Sequence, residues 1–253
     1  MLAEERYGKI LEILSNEKTV KSSYLIQLLN VSTETVRRDL EYLEKEGLIK
    51  RVHGGAVLNK ASSLIPSFST RNEMKNEEKD ALAKNAIAFI TNGNSIALDN
   101  GTTTLHLAKL IKGNFKDLTV ITNSLLIANM LYEDPQINVI LLGGIIDSKN
   151  HCMAGPLTEK NIELFHIDKA FISVTGISLN NGATDFEFSS IVIQKKLISR
   201  SNKTYLLADS SKFNTSSLLN VCALEDVDSI ITDPDLSDTV YDEYSRAGLQ
   251  IVK

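Results

Sequence analysis

The sequence predicts an α/β protein in two parts, a small helical head closed by a β-hairpin and a larger body built on a mainly parallel sheet. Three observations predict it. The residues before Asn59 show helical periodicity and end in a Gly-Gly turn between two short apolar runs. The residues after Ser95 alternate strand-length apolar runs with helical patterns, which is how parallel strands with crossover helices read. The 253-residue length suits two domains of ~100–200 residues each, with a core that needs no disulfide.

In the head, Leu2, Tyr7, Ile10, Leu11, Ile13 and Leu14 fall mostly at helical spacing, and Asn16-Glu17-Lys18 breaks the pattern. Ser22-Ser23 can cap a second helix, with Tyr24, Leu25, Leu28 and Leu29 on its buried side. Asn30-Val31 reads as a turn. Ser32 caps a third helix, whose Val36, Leu40 and Leu43 at i, i+4 and i+7 form a core stripe. Gly47 is its stop signal. Leu48–Val52 and Ala56–Leu58 then flank His53-Gly54-Gly55 as two strands around a turn. Three short helices with a tight turn before the third, followed by a hairpin, make a winged helix-turn-helix over residues 1–58.

Asn59 to Thr70 is Ser-rich and contains Pro66, and a linker is placed at 59–75. The segment from Arg71 to Ile90, charged and then Ala-rich, reads as a helix leading into a body domain at 76–253. Its strand-length runs are Ser95–Asp99, Leu118–Thr122, Val139–Leu142, Ala170–Val174, Thr204–Ala208 and Ser229–Thr232. Continuously apolar runs are what a sheet buried on both faces requires.

Composition excludes several classes. The hydrophobic fraction of 43% and charged fraction of 23% are those of a globular protein rather than a disordered one. No run approaches the ~18 apolar residues of a membrane span. The charged start, Met1-Leu2-Ala3-Glu4-Glu5-Arg6, lacks a signal-peptide core, so a cytoplasmic location is expected. Cys152 and Cys222 lack motif spacing and read as buried thiols. His106, His151 and His166 show no metal-ligand spacing, and neither a metal nor a cofactor is expected. The net charge of −5 is unevenly spread: residues 1–60 carry 10 Lys/Arg against 9 Asp/Glu, and the remainder 17 against 23. A near-neutral head can still gather its cations on one face.

The third helix carries the head's chemistry. With Val36, Leu40 and Leu43 inward, ~100° per residue turns Thr33, Glu34, Arg37, Arg38 and Glu41 outward. Thr33 and Arg37 lie one turn apart in the half of a recognition helix that meets base edges. An arginine fork can hold guanine O6 and N7 together, and the hydroxyls of Ser32, Thr33 and Thr35 can reach phosphates or bases. Lys50, Arg51 and His53 in the wing are placed for backbone phosphates. The alternative is a solvated helix whose arginines pair with Glu34 and Glu41. The stretch Val31–Leu40, with Leu43, Gly47-Leu48-Ile49 and Arg51–Ala56, closely resembles the head of the DeoR family of bacterial repressors, which govern sugar and nucleoside metabolism. The resemblance implies that Thr33, Thr35, Arg37 and Arg38 contact operator DNA. It also implies a homodimer or homotetramer reading repeated half-sites.

In a parallel sheet, ligands gather beyond the carboxyl ends of the strands. The loops there are Asp99-Asn100-Gly101-Thr102-Thr103-Thr104, Thr122-Asn123-Ser124, Gly143-Gly144, the stretch from Thr175-Gly176 toward Asp185, and Asp209-Ser210-Ser211-Lys212. Gly101 allows close backbone approach, and the helix opening after it attracts an anion. Asp99 suits a sugar hydroxyl, and Lys212 offers a charge to a phosphate. Taken singly, each loop is also an ordinary cap or turn.

The same loops resemble the sensor domain of the DeoR family, which is similar in fold to ribose-5-phosphate isomerases and Rossmann-like. The implied effector is a small phosphorylated sugar. Phe186-Glu187-Phe188 stands where the family often has a Glu-Ala pair followed by a basic residue, and Asn100 stands where serine is common. The resemblance therefore implies a regulator, with a sugar-phosphate isomerase carrying an accessory head, or a protein-interaction head, as the alternatives. An isomerase needs a second acid/base group beside Asp99, and the sequence offers no obvious one.

Overall fold

The computed structural model describes residues 3–45, 49–58 and 67–253. They divide into two compact units, Met1–Pro66 and Ser67–Lys253.

The head contains α1 (Ala3–Glu17), β1 (Thr19–Lys21), α2 (Ser22–Leu29), α3 (Thr33–Lys45), β2 (Ile49–Val52) and β3 (Gly55–Leu58). Asn30 closes α2 in the left-handed conformation (φ 50°), and the Ser32 hydroxyl accepts from the Thr35 amide at the start of α3. Ile10, Leu14, Leu25, Leu29, Val36, Leu40, Leu43 and Ile49 form one core. Arg6 of α1 pairs with the buried Asp39 of α3. Tyr24 and Leu28, expected on the buried side of α2, are exposed, because Leu25 and Leu29 take the inward stripe one residue on. The wing has a third strand. β1 pairs with β3, which pairs with β2, all antiparallel. Thr19-Val20-Lys21 buries only Val20, too little apolar signal to mark a strand from sequence. Gly55 is required here, since a Cβ would stand 2.0 Å from the Val20 carbonyl oxygen. Gly47, the expected stop of α3, lies outside the described residues.

The linker expected at 59–75 needs correction at its far end. Residues 59–66 lie outside the described residues, but Phe68–Glu73 form a helix, α4, capped by Ser67. Phe68 enters the body core and so draws this segment into the fold.

The body continues with α5 (Asn76–Ile87), β4 (Ser95–Leu98), α6 (Thr102–Ile111), β5 (Leu118–Thr122), α7 (Leu125–Leu131) and β6 (Ile137–Leu141). A hairpin, β7 (Ile145–Asp147) with β8 (Cys152–Ala154), leads to α8 (Pro156–Ile162) and β9 (Ile167–Ser173). Then come β10 (Gly176–Ser178), β11 (Gly182–Asp185), α9 (Phe188–Ser199), β12 (Ser201–Leu207), β13 (Leu219–Cys222), β14 (Ser229–Ile231), α10 (Asp238–Arg246) and β15 (Ile251–Val252).

Seven strands form the central sheet in the order β15-β14-β12-β9-β4-β5-β6, and every pair is parallel. The apolar runs feed its two faces alternately. Ala97, Ala170, Ile172, Leu206 and Ile230 meet α8, α9 and α10 on one side. Ile96, Leu98, Phe171, Tyr205, Leu207 and Ile231 meet α4, α5, α6 and α7 on the other. That two-sided burial explains why the runs lack polar alternation. The chain winds outward from β4 first through β5 and β6, then crosses to β9, so β4 and β9 mark the topological switch point. The stretch from Gly176 to Asp185, expected as a loop, is an antiparallel hairpin that pairs further with β13. Neither this side sheet nor the two-residue β15 carries a legible apolar run.

Candidate functional site

The outward face of α3 is assembled as the periodicity predicts. Val36, Leu40 and Leu43 are buried, while Thr33, Glu34, Arg37 and Arg38 are exposed. The arginines are engaged with neighbouring carboxylates. Arg37 Nε donates to Glu34 Oε2 at 2.9 Å and Nη2 to Glu34 Oε1 at 2.8 Å, and Nη1 bonds Glu41. Arg38 Nε reaches Glu34 Oε1 at 3.1 Å. From the wing, Arg51 pairs with Glu41 at 3.0 Å, and its amide donates to Glu44 Oε1 at 2.7 Å. Hydrogen bonds from the two arginines hold the Glu34 carboxyl down to about 2, so it stays ionised. Such exposed pairs are weak because water screens them, so they tether the guanidinium groups without sequestering them. The hydroxyls of Ser32 and Thr35 bond each other at 2.8 Å. Lys50 and His53 are exposed on the wing. Thr33, Arg37, Arg38, Arg51 and Lys50 thus stand on α3 and β2, with the carboxylates interleaved.

The second site lies where β4 and β9 end. Asp99 follows β4 and is buried. Its carboxylate accepts from the Gly101 amide at 3.2 Å, the Thr104 hydroxyl at 2.9 Å, the Ser173 amide at 3.2 Å and hydroxyl at 2.9 Å, and Gln194 Nε2 at 2.9 Å. Gln194 also donates to the Ser173 carbonyl and leans toward Asp185 Oδ2 at 3.4 Å. Asp185 accepts in addition from the Phe186 amide and the Thr175 hydroxyl. Burial raises the carboxyl groups of Asp99, Asp185 and Glu187, against the opposing pull of the hydrogen bonds.

Gly101 caps α6 against this cluster, and a Cβ on it would stand 1.6 Å from Ser173 Oγ. The first intrahelical bond runs from Leu105 to the Gly101 carbonyl, so the amides of Thr102, Thr103 and Thr104 open the helix without an intrahelical acceptor. All three threonines are buried, and the hydroxyl of Thr104 is committed to Asp99. At the next strand, the Thr122 hydroxyl accepts from the Ser124 amide. Asn123 donates from Nδ2 to the Met153 carbonyl, and its Oδ1 is buried without a protein partner. Gln194 Oε1 is orphaned in the same way. A buried polar atom left unpaired costs ~1–3 kcal/mol, so two such atoms at one sheet edge mark a place built to meet something else.

The remaining expected residues are placed as follows. Gly143 accepts from Asn161 Nδ2 at 3.3 Å, and Gly144 lies against Thr158. Gly176 packs on the chain at Thr215 and Ser216. Lys212 ends a 3-10 turn, Ser210–Lys212, held by Asp209, and is half-buried. Ser173 and Gln194 were not among the expected residues. Gln194 had one readable signal, an amide within the apolar stretch Ile191-Val192-Ile193.

Residues 6–62 match the family model described as a DeoR-like helix-turn-helix domain, and residues 74–234 that described as the DeoR C terminal sensor domain. The chain belongs to the DeoR family of transcriptional regulators. Over 251 residues this DeoR-family chain is 37% identical to the HTH-type transcriptional regulator GolR of Listeria innocua, covering 99% of this chain and 98% of that one. It is 33% identical to the HTH-type transcriptional repressor GlcR of Bacillus subtilis, covering 100% of this chain and 96% of that one. Among solved structures, ribose 5-phosphate isomerase from Plasmodium falciparum is similar at a TM-score of 0.41 and 20% identity, over 54% of this chain and 52% of that one. No helix among the described residues is long and apolar enough to cross a membrane.

Proposed function

We propose that this DeoR-family regulator is a repressor of a carbohydrate operon, whose grip on its operator is changed by a phosphorylated sugar held at the carboxyl edge of β4 and β9. The observation that carries the reading is the face of α3: a recognition helix buried along Val36, Leu40 and Leu43 that presents Thr33, Arg37 and Arg38 outward. Double-stranded DNA meets that face in the major groove, with Ser32, Thr35, Lys50, Arg51 and His53 on flanking phosphates. On entering the groove, Arg37 and Arg38 exchange Glu34 and Glu41 for phosphates or base edges.

In the body, the amides opening α6 and the ammonium of Lys212 suit the phosphate, while Asp185, whose Oδ2 meets only Gln194 at 3.4 Å, suits a hydroxyl. Asn123 Oδ1 and Gln194 Oε1 supply further acceptors. The role is binding without turnover: the Asp99 oxygens are occupied by Gly101, Thr104, Ser173 and Gln194, so Asp99 is not free to act as a base. The protein acts in the cytoplasm as a homodimer or homotetramer on repeated half-sites. An effector that prefers one state by a coupling of ~1–3 kcal/mol is enough to switch it.

The test is an anisotropy titration of the protein on promoter fragments flanking its own gene. It is run alone and with ribose 5-phosphate, glucose 6-phosphate, fructose 6-phosphate or fructose 1-phosphate. Sequence-specific binding that one sugar phosphate shifts supports the reading. Binding no tighter than to random DNA, or a specific affinity that no compound alters, overturns it.

A further inference from the structure

We infer that Arg71 is an effector-binding residue, its guanidinium clasped between Phe68 and Phe186 so as to hold the oxyanion of the ligand. The inference rests on the effector reading above and adds a contact that the loop motifs do not contain.

Arg71 lies on α4, and its guanidinium carbon stands 5.7 Å from the centre of the Phe68 ring and 5.1 Å from that of Phe186. Nη2 donates to Asn150 Oδ1 at 3.3 Å, from the turn of the β7–β8 hairpin. Nε is buried and meets no acceptor. A buried donor left unpaired costs ~1–3 kcal/mol. Asp185, Glu187 and Asp99 lie close enough to act on its charge, yet Arg71 makes no ion pair among the described residues. Asp185 is turned instead to the Phe186 amide at 2.7 Å and the Thr175 hydroxyl at 3.1 Å.

The surroundings point to the ligand class. Two aromatic rings pack on the guanidinium, whose planar fork matches two oxygens of a phosphate or carboxylate. The neighbouring cation, Lys79, cannot take this role, because its ammonium is spent on the carbonyls of Arg71 and Met74 at the end of α4. The Phe186 ring directly follows Asp185, so the fork borders the cluster that Gln194 ties together. A sugar bearing an oxyanion can thus place hydroxyls on that cluster and its charge on Arg71.

The experiment is calorimetric titration of the full-length protein and its Arg71→Met and Arg71→Lys variants. The probes are the four sugar phosphates above, gluconate and ribonate as carboxylate counterparts, and the uncharged parent sugars. Circular dichroism checks folding. For the tightest charged probe, Arg71→Met is expected to lose ~30-fold or more in affinity and Arg71→Lys ~5–10-fold, since lysine keeps charge but not the fork. Whether that probe is a phosphate or a carboxylate tells which oxyanion the fork holds. Binding of charged probes within about twofold of the parent protein in both variants makes Arg71 structural while leaving the sensing reading intact. If Arg71→Met fails to fold, Arg71→Lys decides by the same limits. A parent protein that binds none of the charged probes removes the effector reading and this contact with it.

Discussion

Arg6 and Asp39 join α1 to α3 through a two-pronged ion pair, Nε to Oδ2 at 2.6 Å and Nη2 to Oδ1 at 2.8 Å. The residues are 33 positions apart, and the Asp39 side chain is only 3% exposed. The pair therefore sets the angle at which the recognition helix leaves the head core. Asp39→Ala removes the carboxylate that Arg6 grips through two nitrogens, and breaking the pair should lower the stability of the head. Thermal unfolding followed by circular dichroism should show the loss, and operator binding should fall although no DNA-facing residue has changed. Replacing both partners, Arg6→Met with Asp39→Leu, should restore much of the stability. A single variant that melts with the parent protein would show that the pair is idle.

The carboxylates on α3 compete with DNA for the same arginines. Glu34→Gln and Glu41→Gln should each tighten binding to random duplex DNA and steepen its salt dependence, because Arg37, Arg38 and Arg51 then have one anion fewer to leave. The denaturant midpoint should scarcely move, as the pairs are exposed. Anisotropy at several salt concentrations measures the first effect and denaturant midpoints the second.

Gly101→Ala tests the tight seam between β4 and β9. The added methyl would collide with the Ser173 hydroxyl that Asp99 accepts from. Forcing the loop apart should cost about 1–3 kcal/mol of body stability. It should also abolish any sugar-phosphate response, while the operator affinity of the protein alone is kept. Calorimetric melting and titration read the two effects separately.

Burial pushes the Lys79 ammonium down to about 8 from its ordinary 10.5. Between those values the unfolded chain binds the proton and the folded chain does not. The group's contribution to stability therefore rises with pH through that window. Denaturant midpoints at pH 7.5 and 10 should show this component in the parent protein but not in Lys79→Met. The same variant should loosen α4, whose last carbonyls Lys79 holds.

Most of the fold was legible because its signals are periodic. The Val36, Leu40 and Leu43 stripe and the apolar runs ending at Asp99, Thr122 and Ala208 each state a burial pattern within a few residues. What escaped has little local signal. β1 buries a single valine, β15 has two residues, and β10–β11 is held by pairing with β13, more than thirty positions away. The second site divides in the same way. Asp99 and Gly101 stand out as a polar loop after a strand, whereas Ser173 and Gln194 gain meaning only when β9 and α9 bring them to Asp99 across 74 and 95 positions. Arg71 lay at the far end of what reads as a linker, and nothing beside it in the chain announces Phe186.

Because Asp99 follows the first strand of the body sheet and its serine partner ends the fourth to join that sheet from the other side, the chain must be about two-thirds synthesised before both exist. A nascent or truncated copy that stops before Ser173 already carries the whole head, yet holds only half of the Asp99 cluster. If that cluster holds the effector as proposed, prematurely ended copies would thus be deaf to the cell's metabolic state.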